Sequence, residues 1–252
     1  MIINADDFGL TAGVTAGIRA AMLCGAVTST SVMACVPGSL ERTAEYANEL
    51  RGRIGVHLQL TDGIACCQNV PSLVDEEGCF PRSWRDIKNL DRDEIHREWC
   101  GQMERVLAAG IRPSHIDTHH DVHRFPVAFK VYCHLASEYG LSARTLGPVH
   151  TAELRRWGVR CTDAFETAWG GEDLTTKGLL QCAERAFALT ECESIELMTH
   201  PGFCDDDLRR KSGYTDDRER ELEALCDPEL RALLDKAGVC LGSIRDDGEF
   251  ER

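Results

Sequence analysis

Four of the chain's nine histidines and two of its aspartates fall within ten positions, SHIDTHHDVH at 114–123. The run follows Pro113 and reads as a strand over 114–119. Period-two alternation then sets His115, Asp117 and His119 on one face and Ile116 and Thr118 on the other. Imidazoles and a carboxylate aimed the same way suit a hard or borderline divalent cation such as zinc or manganese; the plainer alternatives are a pH-sensitive surface patch or a chance cluster. Past His119 the backbone must turn, so periodicity orients none of His120, Asp121 or His123.

Three further polar clusters end β-rich runs. NADDFG puts Asp6 and Asp7 at the exit of the opening strand. Side chains alternate along a strand, so the pair is expected to point in different directions at one rim. One can bind a cation while the other takes a proton; the plainer alternative is a helix N-cap, for which Asp is favoured. GVHLQL carries His57 in an otherwise apolar strand, where a lone histidine is ordinarily a satisfied core residue. MTHPGF ends with His200, after which Pro201 and Gly202 stop the strand and let backbone approach a ligand; a structural turn histidine is the alternative. Taken together, the four clusters are the parts of a metal-assisted hydrolase. A cation with an open position acidifies water and polarises a carbonyl, and carboxylate and imidazole move protons. The chain has no GxSxG elbow, Walker loop or glycine-rich dinucleotide fingerprint, which removes the main support for serine-nucleophile or nucleotide chemistry.

These residues need strands that end at one rim. Strand candidates are Ile2–Ala5, Ser29–Cys35, Ile54–Leu60, 114–119, Leu141–Leu146, Gly158–Cys161, Ser194–Thr199 and Val239–Ile244. Helical patterns follow Thr11 and fill 39–50, 91–109, 126–139, 175–189 and 217–236. Such βα alternation predicts an α/β fold with parallel strands, as a closed or distorted barrel or an open doubly wound sheet. Both architectures place their sites at carboxyl strand ends. No Pro-, Gly- or Ser-rich linker divides the chain, so one domain over 1–252 is expected. The irregular 61–82 stretch is the candidate substrate-covering loop.

Composition narrows the partners. The formal net charge of −14 opposes nucleic acid and anionic membrane, which both select excess Lys and Arg; a neutral substrate fits better. The N-terminus lacks the pattern of a secretory signal and no apolar run is long enough to span a membrane, so a cytoplasmic location is expected. Thirteen cysteines with no CxxC spacing read as free thiols, several of them small core residues.

NADDFG at 4–9, VTSTSVM at 27–33, GVHLQLTDG at 55–63, PSHIDTHHDVHRFP at 113–126, THPGF at 199–203 and RERELEAL at 218–225 together resemble the YdjC-like carbohydrate deacetylases. The similarity runs in order through nearly the whole chain. It implies a distorted (β/α) barrel of the glycoside hydrolase/deacetylase type, often dimeric, that removes N-acetyl groups from chitooligosaccharide-like amino sugars. It also implies one divalent ion, for which two imidazoles favour zinc over magnesium or manganese. Carried over by motif, the ligands are Asp7, His57 and His119, Asp6 is the general base and His200 the acid that protonates the leaving amine. Arg144 is expected to orient a carboxylate or bind substrate. Asp121 stands where family members often have His, so the resemblance assigns it no role. Two other functions use the same parts: hydrolysis of another amide or a phosphoester, and metal-dependent sugar binding without turnover.

Overall fold

Each β-rich run that feeds an amphipathic helix returns to the same sheet in the same direction. The computed structural model describes residues 1–190, 192–244 and 250–251. Its strands are β1 (Ile2–Phe8), β2 (Ser29–Val32), β3 (Ile54–Leu58), β4 (His115–Thr118), β5 (Ser142–Ala143), β6 (Ala164–Glu166) and β7 (Ile195–Thr199). All pair in parallel, in the order β5-β4-β3-β2-β1-β7-β6. The sheet curls into a half-barrel with β5 and β6 at its edges, the distorted α/β barrel expected. A small antiparallel pair, β8 (Ser243–Ile244) and β9 (Phe250–Glu251), stands apart from it.

The helices are α1 (Ala12–Cys24), α2 (Ser39–Ala44), α3 (Arg92–Ala108), α4 (Pro126–Tyr139), α5 (Pro148–Arg156), α6 (Thr176–Thr190), α7 (Asp206–Lys211), α8 (Asp216–Leu225) and α9 (Leu230–Lys236). Their ends follow local chemistry. Thr11 caps α1 by accepting from Val14 N at 3.2 Å, Asp91 caps α3 through the N–H groups of Asp93 and Glu94, and Gly140 closes α4 at φ 67°. Inward faces carry Val14, Ile18, Ala21 and Met22 on α1, and Ile95, Trp99, Met103 and Val106 on α3. Burial of each larger side chain contributes about 1.5–3 kcal/mol. Gly17 matters for the site, because a Cβ there would lie 2.6 Å from Gly202 Cα. α1 therefore packs directly on the backbone that leaves His200. Among the described residues no helix is long and apolar enough to cross a membrane.

Three elements differ from the sequence pattern. Gly158–Cys161 is not a strand: Gly158 takes φ 71° and Val159 N bonds Leu154 O, so the glycine ends α5 and β6 begins at Ala164. The 217–236 pattern is two helices, since Pro228 has no N–H to continue the first. Val239–Ile244 adds no eighth strand to the half-barrel; its Cys240 O and Gly242 N bond only to Met1 beside it. The expected domain span 1–252 includes positions 191, 245–249 and 252, which lie outside the described residues.

Candidate active site

Strict alternation would send Asp6 and Asp7 to opposite faces of β1, and the chain breaks that rule. Pairing with β2 shifts register between Ala5 and Phe8, and Asp7 adopts φ 69°. Such a bulge, with a non-glycine residue in the left-handed region, costs on the order of 1–3 kcal/mol and re-aims a side chain. The outcome is that both carboxylates face His57: Asp7 Oδ1 lies 3.5 Å and Asp6 Oδ2 4.0 Å from its Nε2.

His119, just past β4, completes the group. Its Nδ1 is 3.2 Å from both Asp7 Oδ1 and His57 Nε2, so an oxygen and two imidazole nitrogens mark a small triangle. The second nitrogen of each ring is held by another carboxylate. His57 Nδ1 meets Asp117 Oδ1 at 2.7 Å, and His119 Nε2 meets Asp62 Oδ2 at 3.3 Å. Carboxylates of this kind fix the orientation of metal-ligating imidazoles. Asp7 Oδ2 accepts from Arg218 Nη2 at 2.6 Å, whereas Asp7 Oδ1 is buried with no hydrogen-bond partner. A buried, unpartnered carboxylate oxygen facing two imidazoles fits a divalent cation in donor type and spacing.

The charges around this triangle are strongly biased. Burial opposes ionisation of Asp7, yet Arg218 and His119 hold it well below the usual carboxylate range. Burial also opposes charge on His119, but the adjacent carboxylates of Asp62 and Asp7 raise it to about 9. His57 is raised as well, with Asp117 and Asp6 outweighing its burial.

Beneath the triangle, Arg144 is enclosed by carboxylates. It donates to both oxygens of Asp6 at 2.7 Å, and lies 2.9 Å from Asp117 Oδ2 and 2.8 Å from Glu196 Oε1. Asn4 donates to Asp6 Oδ1 and Ser31 to Asp117 Oδ2, both at 2.7 Å. Arg144 is fully buried and contributes nothing to the cavity wall, so its contacts are those of a carboxylate-orienting residue. One guanidinium faces three acids, and burial pushes Glu196 up to about 7 against it.

The triangle opens into a cavity of about 1040 Å³. His200, at the end of β7, lines it; its backbone N–H donates to Glu221, which also accepts from the Tyr214 hydroxyl, and the Tyr214 ring meets His200 edge-on. The 61–82 stretch forms much of one wall through Asp62, Ile64, Phe80 and Arg82. It is folded back on itself, with Asp62 N bonding Pro81 O and Phe80 N bonding Gly63 O.

The YdjC-like protein family matches residues 1–236. The chain belongs to this family. A carbohydrate deacetylase from Geobacillus stearothermophilus is 38% identical over 97% of this chain and 96% of its own length. One from Listeria monocytogenes is 34% identical over 98% and 99%. A crystal structure from Enterococcus faecalis, provisionally described as a cellobiose-phosphate cleavage protein, superposes with a TM-score of 0.87 at 34% identity over 96% of both chains.

For this YdjC-like chain, all six candidate residues fall in one region: Asp7, His57 and His119 converge, Asp6 adjoins them, His200 faces the cavity, and Arg144 supports Asp6 from below. Sequence reasoning missed Arg218 and Asp62 as site residues. Arg218 stands in RERELEAL, 211 positions from the Asp7 it holds, and no spacing rule links them. His115 and His123 lie below the cavity, and His120 stacks on His119 with ring centroids 3.9 Å apart. Asp121 borders the cavity and pairs with Arg124 at 3.2 Å. His120 and Asp121 both take positive φ, 55° and 50°, which is the turn that periodicity could not follow.

Proposed function

We propose that this chain hydrolyses the N-acetyl group of an amino sugar or chitooligosaccharide-like substrate, releasing acetate, with one divalent ion held by Asp7, His57 and His119. The observation that carries this reading is the unpartnered Asp7 Oδ1 beside two carboxylate-braced imidazoles, in the wall of a sugar-sized cavity in a YdjC-like chain. Zinc is the favoured ion because two of three ligands are imidazoles. When bound, such an ion supplies Lewis acidity towards a carbonyl oxygen and a lower pKa for water.

The chain's own groups do the rest. Asp6, pinned by Arg144 and Asn4, takes a proton from the attacking water, and the bidentate clamp holds its carboxylate in one orientation for that transfer. His200, across the cavity, gives a proton to the departing nitrogen. Leu10, Ile64, Phe80, Trp84 and Trp169 on the wall offer apolar surface to sugar faces and exclude water. Acetate and a free amine leave.

Acetate release from N-acetylglucosamine oligomers, measured with zinc, manganese or magnesium added to chelator-treated protein, tests the reading. Turnover restored by an ion is expected, and Asp6→Asn should lower kcat by about 10²–10⁴-fold while the ion stays bound. Full activity in that variant removes Asp6 from the base role, and no acetate release under any ion removes the function. Arg82, Arg124, Arg210 and Lys211 also border the cavity, and the Enterococcus relative's description names a sugar phosphate. Both favour a second reading, in which the deacetylated sugar carries a phosphate. A lower KM for a phosphorylated N-acetylglucosamine disaccharide than for the unmodified one is its signature.

A further inference from the structure

Outside the cavity, α3 and α4 pack side by side, and each presents two metal-ligating side chains one turn apart. His96 and Cys100 lie on α3, and His134 and Glu138 lie on α4. At i,i+4 spacing the Cβ atoms of each pair are about 5–6 Å apart on one helix face. His134 Nε2 is 3.8 Å and His96 Nε2 4.0 Å from the same oxygen, Glu138 Oε2. The two rings have centroids 5.6 Å apart, and Cys100 Sγ is 3.7 Å from His96 Nε2. Donor atoms of His96, His134 and Glu138 all lie within 4.8 Å of one another.

Tetrahedral zinc, with bonds of about 2.0–2.3 Å, sets its ligand atoms roughly 3.3–3.7 Å apart. The two imidazole–carboxylate separations need only a few tenths of an ångström of closure, whereas Cys100 Sγ, which approaches His96 but lies outside the 4.8 Å group of His96, His134 and Glu138, must swing further. His96, His134 and Glu138 are 41%, 48% and 53% exposed, so side-chain rotation alone supplies it without disturbing the core. We propose that His96, Cys100, His134 and Glu138 form a second divalent-metal site of zinc type, clamping α3 to α4 from outside. Binding displaces the Cys100 thiol proton to solvent and leaves sulfur as a thiolate ligand.

A second thiol cluster elsewhere makes a useful contrast. Cys35 and Cys66 face Glu98 with sulfurs 3.5 Å apart. Arg105 donates to Cys66 Sγ at 3.2 Å, and Glu98 already accepts from Cys66 N, Cys67 N and Gln102 Nε2. A guanidinium against the sulfur and a carboxylate occupied by N–H donors disfavour a cation there. Among the described residues, no hydrogen bond or ion pair joins a Lys or Arg to the four side chains of the α3–α4 cluster, and Arg97, which lines the same hollow as His96 and Cys100, makes none to them.

Cobalt(II) added to the full, chelator-treated chain separates the sites, because thiolate–cobalt charge-transfer absorption needs a sulfur ligand and the Asp7–His57–His119 group has none. The wild type is expected to bind one equivalent that carries this band in addition to the equivalent at the cavity. His134→Ala should lose the band and its equivalent, and Cys100→Ser the band alone. Asp7→Ala should lose the other equivalent and keep the band, and Cys66→Ser should change nothing. A wild-type titration without the band, or a band that survives in both His134→Ala and Cys100→Ser, overturns the proposal. Retention in Asp7→Ala keeps this outcome independent of the proposed function. The four cluster side chains are at or near the surface, and circular dichroism of each variant checks that the fold is retained.

Discussion

His115 and His119 stand on the same face of one short segment, four positions apart, and their environments drive them to opposite charge states. His115 is buried between Asn4 and Ser114, and its burial, with Arg144 nearby, lowers it to about 4 against the pull of Asp117. His119 sits where β4 ends, and the carboxylates of Asp62 and Asp7 beside it raise it to about 9 despite burial. His123 repeats the first case: it packs on Tyr132 with ring centroids 4.5 Å apart, meets Thr118 Oγ1 at 2.6 Å, and burial depresses it well below the ordinary histidine value. The rim therefore collects carboxylates around an imidazole, and the layer beneath keeps its imidazoles neutral. One histidine-rich run serves a site and the floor that supports it.

The largest expected effect comes from breaking the rim. His119→Ala removes one of three converging donors and should lower turnover by on the order of 10³-fold or more, with loss of bound ion and little loss of stability. His123→Ala should do the reverse, costing about 2 kcal/mol of stability through lost packing and the lost ring contact with the Thr118 hydroxyl, with ion content unchanged. Metal analysis, acetate release and thermal unfolding of the two proteins decide it; equal loss of ion in both would erase the distinction between rim and floor.

A smaller effect is expected from the contact that joins them. Asp117 receives His57 Nδ1 and also faces Arg144, so it links the imidazole at the rim to the buried ion network. Arg144 and His57 keep it ionised despite burial. Asp117→Asn preserves shape but removes the charge that sets the His57 tautomer, and ion affinity should fall by about 10–100-fold. Affinity within twofold of wild type in a competition titration would mean that Asp117 serves only Arg144.

What was legible from sequence divides along the same line. Period-two spacing was enough to set His115 and Asp117 on one face, because β4 is a regular buried strand, and His119 follows the same alternation one residue past its end. It failed for Asp6 and Asp7, where a bulge imposed by the surrounding structure overrides alternation. The strand Ala164–Glu166 was hidden for a different reason: it is a half-buried edge strand without an apolar alternation, while the neighbouring Gly158–Cys161 imitates one. The resemblance to the YdjC-like family supplied the role of each residue; spacing alone offered only candidates. Arg218 and Asp62 were beyond either route, since what they do depends on which side chains the fold brings to them.

The subtlest expected effect is on stability against pH, and it tests the floor directly. An unfolded histidine titrates near 6.5, and folded His115 near 4. Between these values the unfolded chain binds the proton that the folded chain refuses. The stabilisation from burying neutral His115 is therefore complete above about pH 6.5 and is lost as pH falls towards 4. At pH 5 the loss is roughly 2 kcal/mol for this residue, and His123 adds to it with the same sign. His119 acts oppositely in the ion-free chain, since its raised value stabilises below about 6.5 and fades through 9. The ring of His115 lies flat against Gly55 on β3, where a Cβ would come within 2.5 Å of it, so Gly55 is what lets an imidazole occupy this place. His115→Gln should flatten the stability profile between pH 7 and 5 in urea unfolding, whereas Gly55→Ala should lower stability across the whole range by displacing the ring. A His115→Gln profile as steep as that of the wild type would assign the acid sensitivity to other groups, His123 first among them.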